Sequence, residues 1–150
     1  MSDEIVERNK ANWRRFQEDM IPNKKLELLD ELMAPEMIVH RFGEPQTWSR
    51  EKFREAYWEM TGQLDAWRTV DAINGEGDII WARWTINFVH SVPVHGLEPT
   101  GKQLKTEEWG QIRFDDEGRV CEGWFMTTPA LIYQQLGAKV HVELPAEQPS

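Results

Sequence analysis

Up to Leu64 the apolar positions recur every three or four residues, and beyond it every second residue, so helices give way to strands. The longest uninterrupted strand-like run is 79–90, IIWARWTINFVH, which holds neither Gly nor Pro and is rich in β-branched and aromatic residues. Its even positions, Ile80, Ala82, Trp84, Ile86, Phe88 and His90, make an apolar stripe ending in an imidazole. Its odd positions, Trp81, Arg83, Thr85 and Asn87, suit a second, partly covered surface. Two more strand-like runs follow, 103–114 and 119–127, joined by the turn Asp115-Asp116-Glu117-Gly118.

Before them, 3–19 reads as an amphipathic helix, with Ile5, Asn9, Trp13, Phe16 and Met20 near one stripe and Ser2 or Asp3 as cap. Pro22-Asn23 breaks it, and 24–33 forms a second helix that Pro35 ends. Residues 37–42, MIVHRF, make a short strand with Ile38, His40 and Phe42 on one face. A loop over 43–47 leads to Ser49, the N-cap of a third helix whose inward stripe is Phe53, Tyr57, Met60 and Leu64. A strand over 67–74 turns through 75–78 into the long one; 91–102 is a loop, and 130–136 a closing helix ended by Gly137. The layered result is an α+β fold in which a bent antiparallel sheet wraps the helices.

One hundred and fifty residues make a single domain with room for a core, here 1–137, followed by a flexible tail over 138–150 that holds two Pro. The balance of 17 basic against 26 acidic residues argues against nucleic-acid or anionic-membrane partners. A lone Cys121 fits a reducing compartment, and neither a signal segment nor a membrane-length apolar run is seen, so a cytoplasmic location is expected. Eight Trp exceed what a core of this size needs and could wall a flat pocket.

Arg83-Trp84-Thr85, His90, Gly96 and Pro99-Thr100-Gly101 match in order and spacing a run typical of SnoaL-like polyketide cyclases and ester cyclases of the NTF2-like superfamily. The segment 34–40 resembles their first strand; Ile112-Arg113-Phe114, Glu122-x-Trp124 and Gln134-Gln135-Leu136-Gly137 resemble their last strands and closing helix. The resemblance spans roughly residues 8–137. It implies a cone-shaped pocket between sheet and helices, a homodimer, no metal or organic cofactor, and acid–base chemistry on a hydrophobic small molecule. Two positions depart from the pattern. Thr128 stands where the cyclases carry their acid/base Asp, and Gly110 where the preceding strand has another Asp. A Thr hydroxyl is far too weak an acid to replace a carboxylate.

On the last strand alternation places Val120, Glu122, Trp124, Met126 and Thr128 on one face, which in the family looks into the pocket. Glu122 would then be a desolvated acid/base with a raised pKa, or else a structural carboxylate paired with an Arg. Glu108 shares a face with Leu104, Thr106, Gly110 and Ile112, as a second acid/base or as a solvating charge. His40 and His90 each end an apolar face, either as hydrogen-bonded packing residues or as polar partners in the pocket. Tyr57 is core filler or a hydroxyl aimed at substrate. Trp48, Trp58, Trp84, Trp109 and Phe88 are candidate pocket walls, and His95 a residue of the covering loop. Arg41, opposite His40, is expected in a surface or dimer ion pair. His90 and His95 are five apart with Pro93 between them, unlike a metal-binding helical pair, and no metal is expected.

The leading reading is a cofactor-independent enzyme that makes or breaks a carbon–carbon bond in a hydrophobic, aromatic small molecule, as an aldol cyclase or retro-aldol lyase. Its rivals are a non-catalytic binding module and a hydrolase or dehydratase on the same scaffold.

Overall fold

The computed structural model describes residues 2–41, 43–94 and 96–147, without the side chains of Ser2 and Met60. The expected roles of Phe42, Met60 and His95 lie outside the described residues. Helix α1 (Ser2–Arg14) widens into a π-type turn over Arg15–Met20, and together they bury Asn9, Trp13, Phe16, Gln17 and Met20. A 3₁₀ turn (Leu26–Leu28) leads into the one-turn helix α2 (Leu29–Leu32). Then come strands β1 (Met33–His40) and β2 (Gln46–Ser49), helix α3 (Arg50–Tyr57) with a π-type turn over Trp58–Gly62, and strands β3 (Ala66–Glu76), β4 (Ile79–Val89), β5 (Gln103–Phe114) and β6 (Val120–Thr127). Helix α4 (Pro129–Gln135) closes the chain's regular structure, and residues 138–147 hold neither helix nor strand.

One six-stranded sheet runs in the order β2-β1-β6-β5-β4-β3, antiparallel throughout except where β1 lies parallel to β6. It is curved and does not close, and the N-terminal helices fill its concave side. Trp13 meets Trp84 edge-on at 5.2 Å between ring centres, so the even stripe of β4 is the concave one, as its pattern predicts. Ile80, Ala82, Trp84, Ile86 and Phe88 are all buried there. Burying so many large apolar side chains, each worth about 1.5–3 kcal/mol, holds the layers together.

Four expectations of local structure need correction. Residues 24–33 hold only short helical turns, and Met33 already belongs to β1, which runs on through Pro35. Pairing of β1 with β6 is interrupted between Met33 and Ile38, and this irregularity is where a residue without an N–H is tolerated. The loop before Ser49 contains β2, and β3 is longer at both ends than its alternation suggests. Ser49 does cap α3, its Oγ accepting from the Lys52 N–H at 3.1 Å.

The fourth correction decides the site. Phe114 pairs with Val120, yet Arg113 pairs with Glu122, so Cys121 is an extra residue in β6. A bulge of one residue exchanges the faces of everything beyond it. Val120 is buried in the core, but after Cys121 it is Gly123, Phe125 and Thr127 that face inward. Glu122, Trp124 and Met126 are turned onto the convex face.

Candidate functional site

A cavity of about 430 Å³ opens between the concave face and the helices. Sheet residues Arg68, Ile86, Phe88, Thr106, Glu108 and Thr127 form its floor. Glu59, Thr61 and Leu64 close it on the α3 side, Pro93 and Val94 from the loop after β4, and Pro129 and Ile132 from α4. Most of the wall is hydrocarbon, which suits an apolar ligand.

The ionisable groups inside are few. Glu108 keeps its side chain 13% exposed, and its nearest cation is Arg41, whose Nη2 stands 3.6 Å from Oε2. Arg41 follows β1 directly and lies over the Phe125 ring at 5.1 Å. The sequence reading placed Arg41 outside and His40 inside; the structure reverses them. Both Ile38 and Val39 are apolar, so the strand pattern fitted either face, and the core takes Met37 and Val39. Arg68 donates from Nη1 to Gln17 Oε1 at 2.7 Å, while its buried Nε–H has no acceptor among the described residues. Burial lowers the Arg68 pKa; nearby Glu108 opposes this and nearby Arg41 adds to it. Arg68, Thr106 and Thr127 were not singled out as site residues from sequence, although Thr128 was, one position away from the residue that lines the cavity.

The other expected site residues lie elsewhere. Glu122 is on the convex face, where Oε2 meets His40 Nε2 at 2.8 Å and Oε1 accepts from Arg113 Nε at 3.0 Å. Burial alone would raise the Glu122 carboxyl, but hydrogen bonds from His40 and Arg113 outweigh it, so its pKa falls below the ordinary 4.5 rather than rising. The His40 ring stacks on Trp124 with centres 4.5 Å apart. Met126 is 69% exposed on the same face. Thr128, also exposed, stands just before α4, where its carbonyl accepts from the Leu131 N–H at 3.0 Å while its side chain makes no cap bond.

His90 is fully buried and tied to the loop that follows it. Its Nδ1 accepts from the Thr100 N–H at 3.3 Å, which puts the proton on Nε2, 3.2 Å from the Leu97 carbonyl oxygen it donates to. The Tyr57 hydroxyl donates to the Ile21 carbonyl at 2.9 Å, and burial raises its pKa. Trp58 is exposed, Trp48 packs edge-on against Phe53 beside β2, and Trp84 lies in the core. A Cβ on Gly110 would approach the Trp84 ring to 2.9 Å, so that indole fills the room a side chain would need there. Of the residues proposed from sequence, the cavity therefore gathers Glu108 and Phe88. Among the described residues no three His, Cys, Asp or Glu side chains converge as a metal-binding group, and no helix is long and apolar enough to cross a membrane.

A shallower depression of about 620 Å³ lies across the convex face, lined by Trp81, Arg83, Trp109, Gln111, Trp124 and Met126 among others. It is the larger of the two and the more open, yet no carboxylate lines it. The enclosed cavity, with its loosely held Glu108, is the better candidate for chemistry.

Fold and cavity together make a curved sheet with a mostly apolar pocket between it and the helices. The family model for SnoaL-like polyketide cyclase matches residues 11–136, and the chain belongs to that family. Wild-type IdmH of Streptomyces antibioticus, a proposed polyketide cyclase, is 24% identical and superposes with a TM-score of 0.75 over 87% of this chain and 99% of its own. A proposed polyketide cyclase of Acidithiobacillus ferrooxidans is 22% identical, with a TM-score of 0.79 over 87% of this chain and 94% of its own. An LEH-like epoxide hydrolase of M. tuberculosis shares the fold at 12% identity and a TM-score of 0.65, over 87% of this chain and 90% of its own. No curated protein matches the sequence significantly.

Proposed function

We propose that the protein is a cofactor-independent enzyme that moves a proton at the carbon beside a carbonyl of a hydrophobic small molecule, and so makes or breaks a carbon–carbon bond. The observation that carries this reading is Glu108: an almost buried carboxylate in an apolar cavity, with no hydrogen bond to another side chain among the described residues and one Arg at 3.6 Å. A carboxylate so held is free to accept a proton. In the forward direction Glu108 removes a proton from the α-carbon, and the electron pair of that C–H bond becomes the enolate. Arg41 and the Thr127 hydroxyl donate to the developing oxyanion. The enolate carbon attacks a second carbonyl, and the resulting alkoxide takes a proton back from Glu108. The retro-aldol direction runs the same steps in reverse.

Support for the substrate's apolar character comes from Leu64, Ile86, Phe88 and Ile132 in the wall. Neighbours named cyclase and hydrolase share the scaffold, and the choice of carbon over water as the acceptor rests on the mostly apolar lining. The convex aromatic face supports a homodimer: Trp81, Trp109 and Trp124 are 43%, 55% and 37% exposed on one side of the sheet, a patch that a second copy would cover.

The proton step can be tested without knowing the natural substrate. With 2-acetylnaphthalene in D₂O, the wild-type protein should exchange the methyl protons faster than buffer, read by NMR. Glu108→Gln should lower that rate by about 10²- to 10⁴-fold. Exchange at the wild-type rate in a folded Glu108→Gln protein would remove Glu108 from the chemistry.

A further inference from the structure

Two guanidinium groups and two carboxylates line the cavity, but one of the carboxylates stands out in solvent at its wall. Glu108 is matched to Arg41 at 3.6 Å. Glu59 is exposed to solvent at the wall and makes no ion pair among the described residues. Arg68 hydrogen-bonds a neutral partner, the amide oxygen of Gln17 at 2.7 Å, and keeps a buried Nε–H without an acceptor among the described residues. An Arg is always charged, and a charge taken out of water without an opposite one is costly. With Glu59 in solvent, Arg41 and Arg68 share the single inner carboxylate of Glu108, which leaves one positive charge in excess inside the cavity.

We infer that the ligand supplies the missing charge: the cavity takes a hydrophobic small molecule bearing a single carboxylate, held by Arg68. This deepens the function proposed above by naming the substrate class, and it rests on the same cavity. The guanidinium fork matches a carboxylate, with two parallel N–H donors for two oxygens. One excess charge suits a monoanion. A phosphate ester, with charge near −2 at pH 7, would bring a second negative charge close to Glu108. Position agrees with this division of labour. Arg68 is on β3 opposite Ile86, and Glu108 on β5 opposite Trp84, so β4 separates the anchor from the base. A carboxylate at Arg68 thus leaves the rest of the molecule to cross the apolar floor toward Glu108. Gln17, on the turn that extends α1, is a positioning residue that holds the guanidinium from behind.

The test uses three probes without enolisable protons, 2-naphthoate, its neutral isostere 2-naphthamide, and 2-naphthyl phosphate, titrated calorimetrically against the full chain. The carboxylate should bind about 10- to 100-fold more tightly than the amide, as a charge-assisted hydrogen-bonded pair predicts. Arg68→Met, of similar length without charge, should bring that ratio close to one, and Arg68→Lys should restore part of it. Glu108→Gln should keep the preference or strengthen it, so binding and proton exchange fail independently. If Arg68→Met does not fold, judged by its far-ultraviolet spectrum, the wild-type ratio and the Lys variant still decide. Equal binding of naphthoate and naphthamide by the wild-type protein, or an undiminished preference in Arg68→Met, would overturn the proposal. Tighter binding of the phosphate would overturn the single-charge assignment.

Discussion

Glu108 and Glu122 sit on neighbouring strands and face opposite sides of one sheet, each with its side chain 13% exposed. Burial alone does not separate them. Their partners do. Glu122 has both oxygens engaged, one by His40 at 2.8 Å and the other by Arg113 at 3.0 Å, and its pKa is held down. Glu108 has a single cation at 3.6 Å and opens on a cavity. A saturated carboxylate fixes strands in register; a carboxylate left short of donors can exchange protons with a ligand. The concave face is therefore read as chemistry and the convex face as assembly.

Exchanging the two carboxylates for amides in turn tests that division most severely. Glu108→Gln should lose about 10²- to 10⁴-fold in α-proton exchange. Glu122→Gln, measured on the same preparation, should stay within about threefold of the wild-type rate, as expected for a group that touches no reacting atom. The reverse pattern would return the acid/base role to Glu122 and make the convex depression the active surface.

Why sequence pointed to Glu122 first is a matter of one residue. The stripe of β4 and the cap at Ser49 were legible because each follows from a local period or a side chain beside its own backbone. Once Trp84 is inward, its partner Glu108 is inward as well, so this half of the site could be read. The bulge at Cys121 could not, because a Cys there has no turn chemistry, and alternation from Val120 ran unbroken through Glu122, Trp124 and Met126. Gly123 in a strand interior was the one available sign of a local irregularity. Arg68 was hidden in the same way. Pairing of β3 with β4 shifts between Val70 and Ala72, and without that shift Thr69, not Arg68, would stand opposite Ile86. Bulges are set by pairing with other strands, so parity past them belongs to the tertiary structure.

The convex face gives the second contrast, and the next largest effect. Trp109 is 55% exposed there, and Arg83 lies over its ring at 5.6 Å. If a second copy covers this face, light scattering should give a dimer at micromolar concentration, and Trp109→Glu should weaken it by about 30-fold or more, the loss of a central aromatic anchor. Phe88→Leu, on the concave face, should leave the assembly unchanged while altering ligand binding. A wild-type monomer at that concentration would end the dimer reading and leave the cavity argument untouched.

The smallest expected effect concerns what the Glu122 cluster does for stability. Since Arg113 keeps 39% of its side chain exposed, solvent screens the pair, and Glu122→Gln should cost only about 1–2 kcal/mol at pH 7. Its pH dependence carries a definite sign. The folded carboxyl lies below its ordinary 4.5, so the extra stability is present above that value and is lost as pH falls through the lower, folded one. Asp115 is also lowered: burial would raise it, but bonds from Arg119 and neighbouring backbone N–H groups prevail. That contribution is common to wild type and variant and cancels in their difference. Urea unfolding of both proteins at one fixed concentration should therefore give a gap that closes as the solution is acidified below pH 4.5. A gap that widened on acidification would mean that the Glu122 carboxyl is raised in the folded protein, as an acid catalyst's would be, and would break the comparison at the face where it is most exposed to test.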